Sequence, residues 1–458
     1  MRRAYRSARL TIILVISVLV LYSLTPYDSS IRSFFRFHSN VIEDYVQEKH
    51  PSDAWLFKEQ RWPVDAAKDI GIIVKTGFGT RDRVPRALYA LANESLIADI
   101  VVTQDFPVSN KAKDQYKLAG KPVPVVDIVG WNLERGALAA AEHLERISKY
   151  RHLAAAVEAE EWQLADGLGK SMGWELDALK FLSSLEYVWL NMPKKKWYLM
   201  LDDDTYVIKH SLNLLLGHLD PAKPQLIGNP VGDYKGRFPH GGSSVIISGS
   251  AMSKLYDLNP QVVAEGHLES ASITWGDKLL STTFMKVGVY LDETYRRMFN
   301  GENPWTTRMW IDRFCAPLLS FHALGDKETM EEVSITFGKM TKPVFWRDLA
   351  DIYGAPSFSS FLEEPIRANM EYVGRLDEYS TTVQNVDSVE KCQRICQFQN
   401  SDRCLAWSYD PRTKVCNHAP WAIIGDYLEG RLSGINPQLA TTAANRCHPL
   451  PAALTSLY

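Results

Sequence analysis

The sequence predicts an α/β protein: a mostly parallel sheet flanked by helices, a small disulfide-rich α+β module after it, and one transmembrane helix before it. Three observations carry that prediction. Between about residues 66 and 365, apolar β-rich runs alternate with segments of helical spacing, as in sheets covered on both faces. Five of the six cysteines fall after residue 390. An uncharged apolar run from Leu10 to Leu24 follows Arg2, Arg3, Arg6 and Arg9.

The N-terminal run is read as a signal anchor. Arginines before it hold residues 1–9 in the cytosol by the positive-inside rule, and the remainder crosses. The span, 10–24, is short but suits a thin early secretory membrane. A cleaved signal peptide is the rival reading, yet "SLTPYDSS" offers no A-x-A-like cleavage site. A type II protein of the Golgi or ER follows, its catalytic part in the lumen. The cysteines agree, because a cluster in an oxidising compartment reads as a disulfide framework. Zinc is the alternative, but the C-x3-C and C-x7-C spacings fit a zinc ribbon poorly. The triplet "NES" makes Asn93 a candidate glycosylation site.

Residues 25–65 have mixed charge and no sustained period, as expected of a stem. "DIGIIVKTG" then opens the large domain as a strand, "RVPRALYALANESL" reads as a helix, and "IADIVVTQD" as the next strand. "GWELDALKFLSSLEYVWLNM" has one helical period throughout, and "KWYLMLDDD" is a buried strand that ends in three acids. "KHSLNLLLGHL" follows as a helix that Ser211 could cap. The tail domain runs over 366–450. With 458 residues, 46% of them hydrophobic, the chain can build more than one core. Its net charge of −3 gives no bulk attraction to nucleic acid.

The acids after the buried strand ask for a partner, since burying a carboxylate costs several kcal/mol unless a cation answers it. In extended chain Asp202 and Asp204 face one way and Asp203 the other. Two convergent carboxylates suit magnesium or manganese, which also take up phosphate oxygens. The alternative is an acidic turn capping the following helix. An EF-hand is excluded, because the glycine and glutamate positions counted from Asp202 are not met.

These residues carry a family resemblance. "KKWYLMLDDDTYVI" resembles the D-x-D segment of Fringe-like and core-1 β-1,3-galactosyltransferase-like enzymes (glycosyltransferase family 31). "IIVKTGFGTRDRVPRAL", "GWELDALKFL", "HGGSSVIISGSAM", "ITWGDKLLS" and "CAPLLSFHAL" fall in the family's order, covering roughly Ile70 to Leu324. The resemblance implies a GT-A-like, nucleotide-sugar-binding sheet. It implies that Val74, Lys75, Thr76 and Arg81 surround the nucleotide, that Lys180 points toward the donor, and that Asp202 and Asp203 bind there too. Asp202, Asp204 and His322 would hold Mn2+ or Mg2+, and Asp277 would be the base. Gly241 and Gly242 would let backbone approach a ligand. Two departures stand out: Gly276 precedes Asp277 where the family has an acidic pair, and Ser243-Ser244 replaces Ala-Gly after the two glycines.

The residues read alone leave alternatives. His322 also fits a satisfied core histidine, and Asp277 an N-cap. His240, beside the two glycines, is the next candidate base.

The tail "VEKCQRICQFQNSDRCLAWSYDPRTKVCNH" resembles a PAN/Apple module. That pattern implies Cys392–Cys416 and Cys396–Cys404, leaving Cys315 and Cys447 to pair across the domain boundary. The expected function is transfer of a hexose or N-acetylhexosamine from a UDP-sugar to a glycan or glycoprotein acceptor, with inversion and a β-1,3 linkage. The alternative is a non-catalytic carbohydrate- or protein-binding protein acting through the PAN-like module.

Overall fold

The computed structural model describes residues 22–49, 54–96, 98–108, 116–399 and 403–448, together with 13, 16 and 17. The expected cytosolic tail and most of the expected membrane span, 10–24, lie outside the described residues. Among the described residues, no helix is long and apolar enough to cross a membrane.

The first described element of length is a helix, α1 (Ser30–Lys49), where the sequence suggested an irregular stem. Its inward face is polar and aromatic rather than aliphatic, which is why no apolar period announces it. Asn40 donates to Glu293 at 2.9 Å, Arg36 lies 3.9 Å over the Tyr290 ring, and Asp44 pairs with Arg296 and Arg297.

The large domain is built on a seven-stranded sheet. In chain order its elements are β1 (Ile70–Lys75), α2 (Val84–Asn93), β2 (Asp99–Gln104), β3 (Val125–Asp127), α3 (Trp162–Asp177), α4 (Phe181–Asn191), β4 (Trp197–Asp202), β5 (Leu226–Gly228), β6 (Val245–Ser248), α5 (Gly276–Lys286) and β7 (Leu291–Asp292). The strand order is β7-β5-β6-β4-β1-β2-β3. β4, β1, β2 and β3 run parallel, and β6 is antiparallel to both β4 and β5. Both faces are covered. Ile70, Ile72, Val74, Trp197, Leu199 and Leu201 join one core, while Ile73, Tyr198 and Met200 join the other. Double burial explains runs that are apolar throughout instead of alternating. Each such side chain contributes about 1.5–3 kcal/mol.

Two local expectations are corrected. The helix expected over 173–192 is two helices, α3 and α4, with a break at 178–180 that puts Lys180 at the N-cap of α4. Ser211 caps nothing. The helix Lys209–Gly217 starts behind Ile208, and the Ser211 hydroxyl instead accepts from the Val344 amide at 3.2 Å.

The C-terminal module is an antiparallel sheet with a short helix. Its elements are β8 (Arg367–Glu371), β9 (Thr381–Val383), α6 (Val389–Arg394), β10 (Ala406–Asp410), β11 (Val415–Ala419) and β12 (Asp426–Ile435), and its strand order is β8-β12-β10-β11-β9. Disulfides join Cys392 to Cys416 and Cys396 to Cys404, the two pairs the resemblance implied, and Cys315 to Cys447, the two cysteines it left over. The first two pack the module's own core with Trp407 and Tyr409. The third ties the module to the large domain. There, Phe314, Leu318, Phe361, Tyr372, Trp421 and Ile424 form one shared core, and Met309–Trp310 pairs with Trp421–Ala422.

Candidate functional site

The parallel register sets the site. Asp202 ends β4 directly beside Lys75, which ends β1. Lys75 Nζ lies 2.7 Å from Asp202 Oδ1 and 3.3 Å from Asp177 Oδ1, and 3.4 Å over the Phe181 ring. Its side chain is only 1% exposed. Burial disfavours its charge, but Asp177 and Asp202 outweigh that and raise its pKa. Burial likewise works against the Asp202 carboxylate, and Lys75 outweighs it, so the Asp202 pKa falls. Both groups are charged at neutral pH.

Past β4 the chain turns, and the next two acids diverge. Asp203 points inward and accepts from the hydroxyls of Thr76 and Thr80, each at 2.6 Å. Burial pushes it up to about 6 despite those bonds. Asp203, expected among the donor-binding residues, thus spends one carboxylate oxygen on the turn after β1. Asp204 lies between two cations: Arg83 Nη1 is 3.1 Å from Oδ2, and His322 Nε2 is 3.3 Å from Oδ1. Burial opposes charge on the His322 ring, but Asp204 outweighs it and raises the pKa.

Asp202, Asp204 and His322 bring ligand atoms within 4.8 Å of one another. Two carboxylates and an imidazole are a donor set that fits manganese. The surroundings are shaped for the imidazole. A Cβ on Gly242 would sit 2.2 Å from His322 Nε2, so only glycine leaves the ring its place. Among the described residues Cys392, Cys416 and His418 also have metal-like spacing, but the two sulfurs are joined to each other and do not ligate.

Asp277 stands at the start of α5, and the loop of Gly241 and Gly242 connects it to this cluster. The Gly241 amide donates to Asp277 Oδ2 at 3.1 Å, and the Lys278 amide to Oδ1 at 2.8 Å. Burial raises the Asp277 pKa against those two bonds. The N-cap of α5 is Trp275, with no side-chain cap bond, so Asp277 is inside the first turn and is not its cap. His240 is bonded to Ser243 Oγ at 2.8 Å and meets His322 edge to face.

Other expected residues sit less openly. Val74 is core: its side chain packs among the apolar residues of one sheet face and is closed to a ligand. Arg81 bonds Asp166 at 2.9 Å and covers the Phe78 ring. Lys180 is 3% exposed, and Asp105 at 2.9 Å, Thr76 O at 2.8 Å and Asp177 at 3.2 Å take up its ammonium. It fixes the turn after β1 from behind. Asn93 is engaged too: Nδ2 donates to Ser334 O at 2.6 Å and lies so close to Gly338 that a Cβ there would be 2.1 Å away. A glycan on that nitrogen does not fit this fold.

The residues missed from sequence are Thr80, Arg83, Asp105 and Asp177. Arg83 matters most, because its side chain, 33% exposed, is more open than those of Arg81, Lys75 and Lys180. Asp105 follows β2 as Asp202 ends β4, so the rule that singled out one strand end applied equally to β2, two places along the sheet.

Fold and site together define an α/β chain with a charged centre at the carboxyl ends of its central strands, the place where such sheets bind ligands. Residues 368–433 match the PAN domain family. No curated protein matches the chain. Among solved structures it is similar to the crystal structure of the glycosyltransferase GlyE of Streptococcus pneumoniae TIGR4, at 12% identity and a TM-score of 0.32. That likeness covers 65% of this chain and 64% of the other, less than two thirds of its length.

Proposed function

We propose that the chain is a metal-dependent, inverting glycosyltransferase that moves a hexose or N-acetylhexosamine from a UDP-sugar to a hydroxyl of a glycan or glycoprotein, forming a β-1,3 linkage. The observation that carries the reading is the convergence of Asp202, Asp204 and His322 beside Arg83, with Asp277 reached through the Gly241–Gly242 loop. A divalent cation held there would act as a Lewis acid toward the leaving diphosphate.

The chain's own groups do the rest. The acceptor oxygen attacks the anomeric carbon, the bond from that carbon to the diphosphate oxygen breaks with its electron pair, and the hydroxyl proton passes to the Asp277 carboxylate. The Gly241 and Lys278 amides hold that carboxylate in place. Its raised pKa makes it the stronger base. Arg83 offers an open guanidinium to the diphosphate, and buried Lys75 adds fixed positive charge behind it. Three disulfides fit a lumenal, oxidising compartment such as the Golgi or ER.

The test is a panel of UDP-sugars incubated with the full chain and manganese. Release of UDP from one member, abolished by chelation, supports the reading. Release from none, together with no binding of UDP, contradicts it.

A further inference from the structure

We propose that the C-terminal module is a working part of the cation site, with Arg308 as the link that lets Asp377 position His322. This rests on the reading of Asp202, Asp204 and His322 as cation ligands. Arg308 faces three ways. Its Nη2 is 3.0 Å from Glu302 Oε1, its Nη1 pairs with Asp377 of the module, and its guanidinium lies 5.1 Å over the ring of Trp421, also in the module.

Glu302 carries the link to the site. Its carbonyl accepts the His322 amide at 3.1 Å, and the carbonyl of neighbouring Gly301 lies 3.3 Å from His322 Nδ1. A carbonyl only accepts, so Nδ1 donates to it, and Nε2 is the nitrogen turned to Asp204 Oδ1 and to a cation beside it. That ring orientation is what a ligating imidazole needs, and partners of this kind tune metal affinity.

The segment that supplies these carbonyls has no fold of its own. Between Met298 and Met309 no residue is helix or strand. Side chains shape it instead: Asn300 Nδ2 bonds Glu302 O at 3.0 Å and Thr307 Oγ1 at 2.7 Å, while Glu302 Oε2 accepts the Arg308 amide at 3.2 Å. The far end is clamped to the module by the pairing of Met309 with Ala422 and Trp310 with Trp421. The pairing of Ser320–Phe321 with Tyr206–Val207 fixes the main chain beside His322, so the 300–308 segment governs the ring more than the backbone. An ordinary interdomain ion pair would hold the module on; this one also ends on the residue whose carbonyl receives His322.

The experiment is calorimetric titration of manganese into the full chain with UDP present, alongside thermal unfolding. Wild type is compared with Asp377→Asn, Asp377→Glu, Glu302→Gln and Asp204→Ala. Loss of outer partners weakens metal sites by about 10–100-fold, and Asp377 stands one link further out, so Asp377→Asn should raise the manganese Kd by about 10-fold. Glu302→Gln should raise it at least as much, and Asp377→Glu should stay within about threefold of wild type. A manganese Kd for Asp377→Asn within twofold of wild type overturns the link, whatever its melting temperature. If wild type binds no manganese, or Asp204→Ala binds it equally well, the cation reading itself falls and the link falls with it.

Discussion

Lys75 Nζ and Asp202 Oδ1 stand 2.7 Å apart at the ends of two neighbouring parallel strands, and Asp177 lies on the other side of the same ammonium. One buried lysine thus answers two carboxylates. Removing it leaves Asp202 without its ammonium, while Asp177 keeps Lys180 at 3.2 Å. Lys75→Met should lower stability by about 3 kcal/mol, the range for breaking a buried pair. Adding Asp202→Asn should recover part of that loss. Urea unfolding measures both, and a loss below about 1 kcal/mol would show the pair to be well solvated.

The second prediction concerns Ser244. Its φ of 72° and ψ of 144° belong to a region that favours glycine, and its buried hydroxyl has no hydrogen-bond partner. The resembled family has glycine here. Ser244→Gly should stabilise the protein by about 1 kcal/mol, since such backbone costs of order 1–3 kcal/mol. Ser244→Ala removes only the hydroxyl and separates the two causes. A glycine variant no more stable than the alanine variant would locate the cost in the hydroxyl alone.

Much of this was legible in the sequence, for identifiable reasons. β1 and β4 are buried on both faces, so their apolar runs stand out, and Asp202 marks a strand end because acid follows such a run. α1 was not legible, because it meets the large domain through Arg36, Asn40 and Asp44 and not through an aliphatic stripe. The break between α3 and α4 was hidden by a helical period that continues across it. Arg83 and Asp177 sit in helical or charged stretches where any surface residue looks the same, and only the fold turns them toward the acids. Lys180 was found, but its direction was not.

A third prediction uses pH. Glu94 accepts from the Tyr206 hydroxyl and, at 3.1 Å, from the Lys209 amide. Burial nevertheless pushes it from 4.5 up to about 7. The folded state therefore binds this proton more tightly than the unfolded chain. The resulting stability is complete below pH 4.5 and is lost as pH rises through about 7. Glu94→Gln cannot titrate, so the stability of wild type relative to this variant should fall by about 3 kcal/mol over that window. Chemical unfolding of both at several pH values checks it. A constant difference would mean that folding does not raise the Glu94 pKa.

The fourth prediction separates binding from transfer. Asp277→Asn keeps size and one acceptor oxygen, so it retains only one of the two bonds from the Gly241 and Lys278 amides; α5, whose cap is Trp275 and not Asp277, should persist. Affinity for UDP with manganese should stay within about threefold, while transfer falls by about two or more orders of magnitude, as expected for loss of a general base. Near-wild-type transfer with a lowered melting temperature would make Asp277 structural and turn attention to His240.

The central claim is that Asp202, Asp204 and His322 hold a divalent cation through which UDP binds. Asp204→Ala tests it most directly, because Asp204 meets both Arg83 and His322 yet is no part of the sheet core. Calorimetry of UDP binding, with and without manganese, should show a manganese-dependent affinity in wild type and none in a folded Asp204→Ala variant. Equal, manganese-dependent affinity in both proteins would contradict the account.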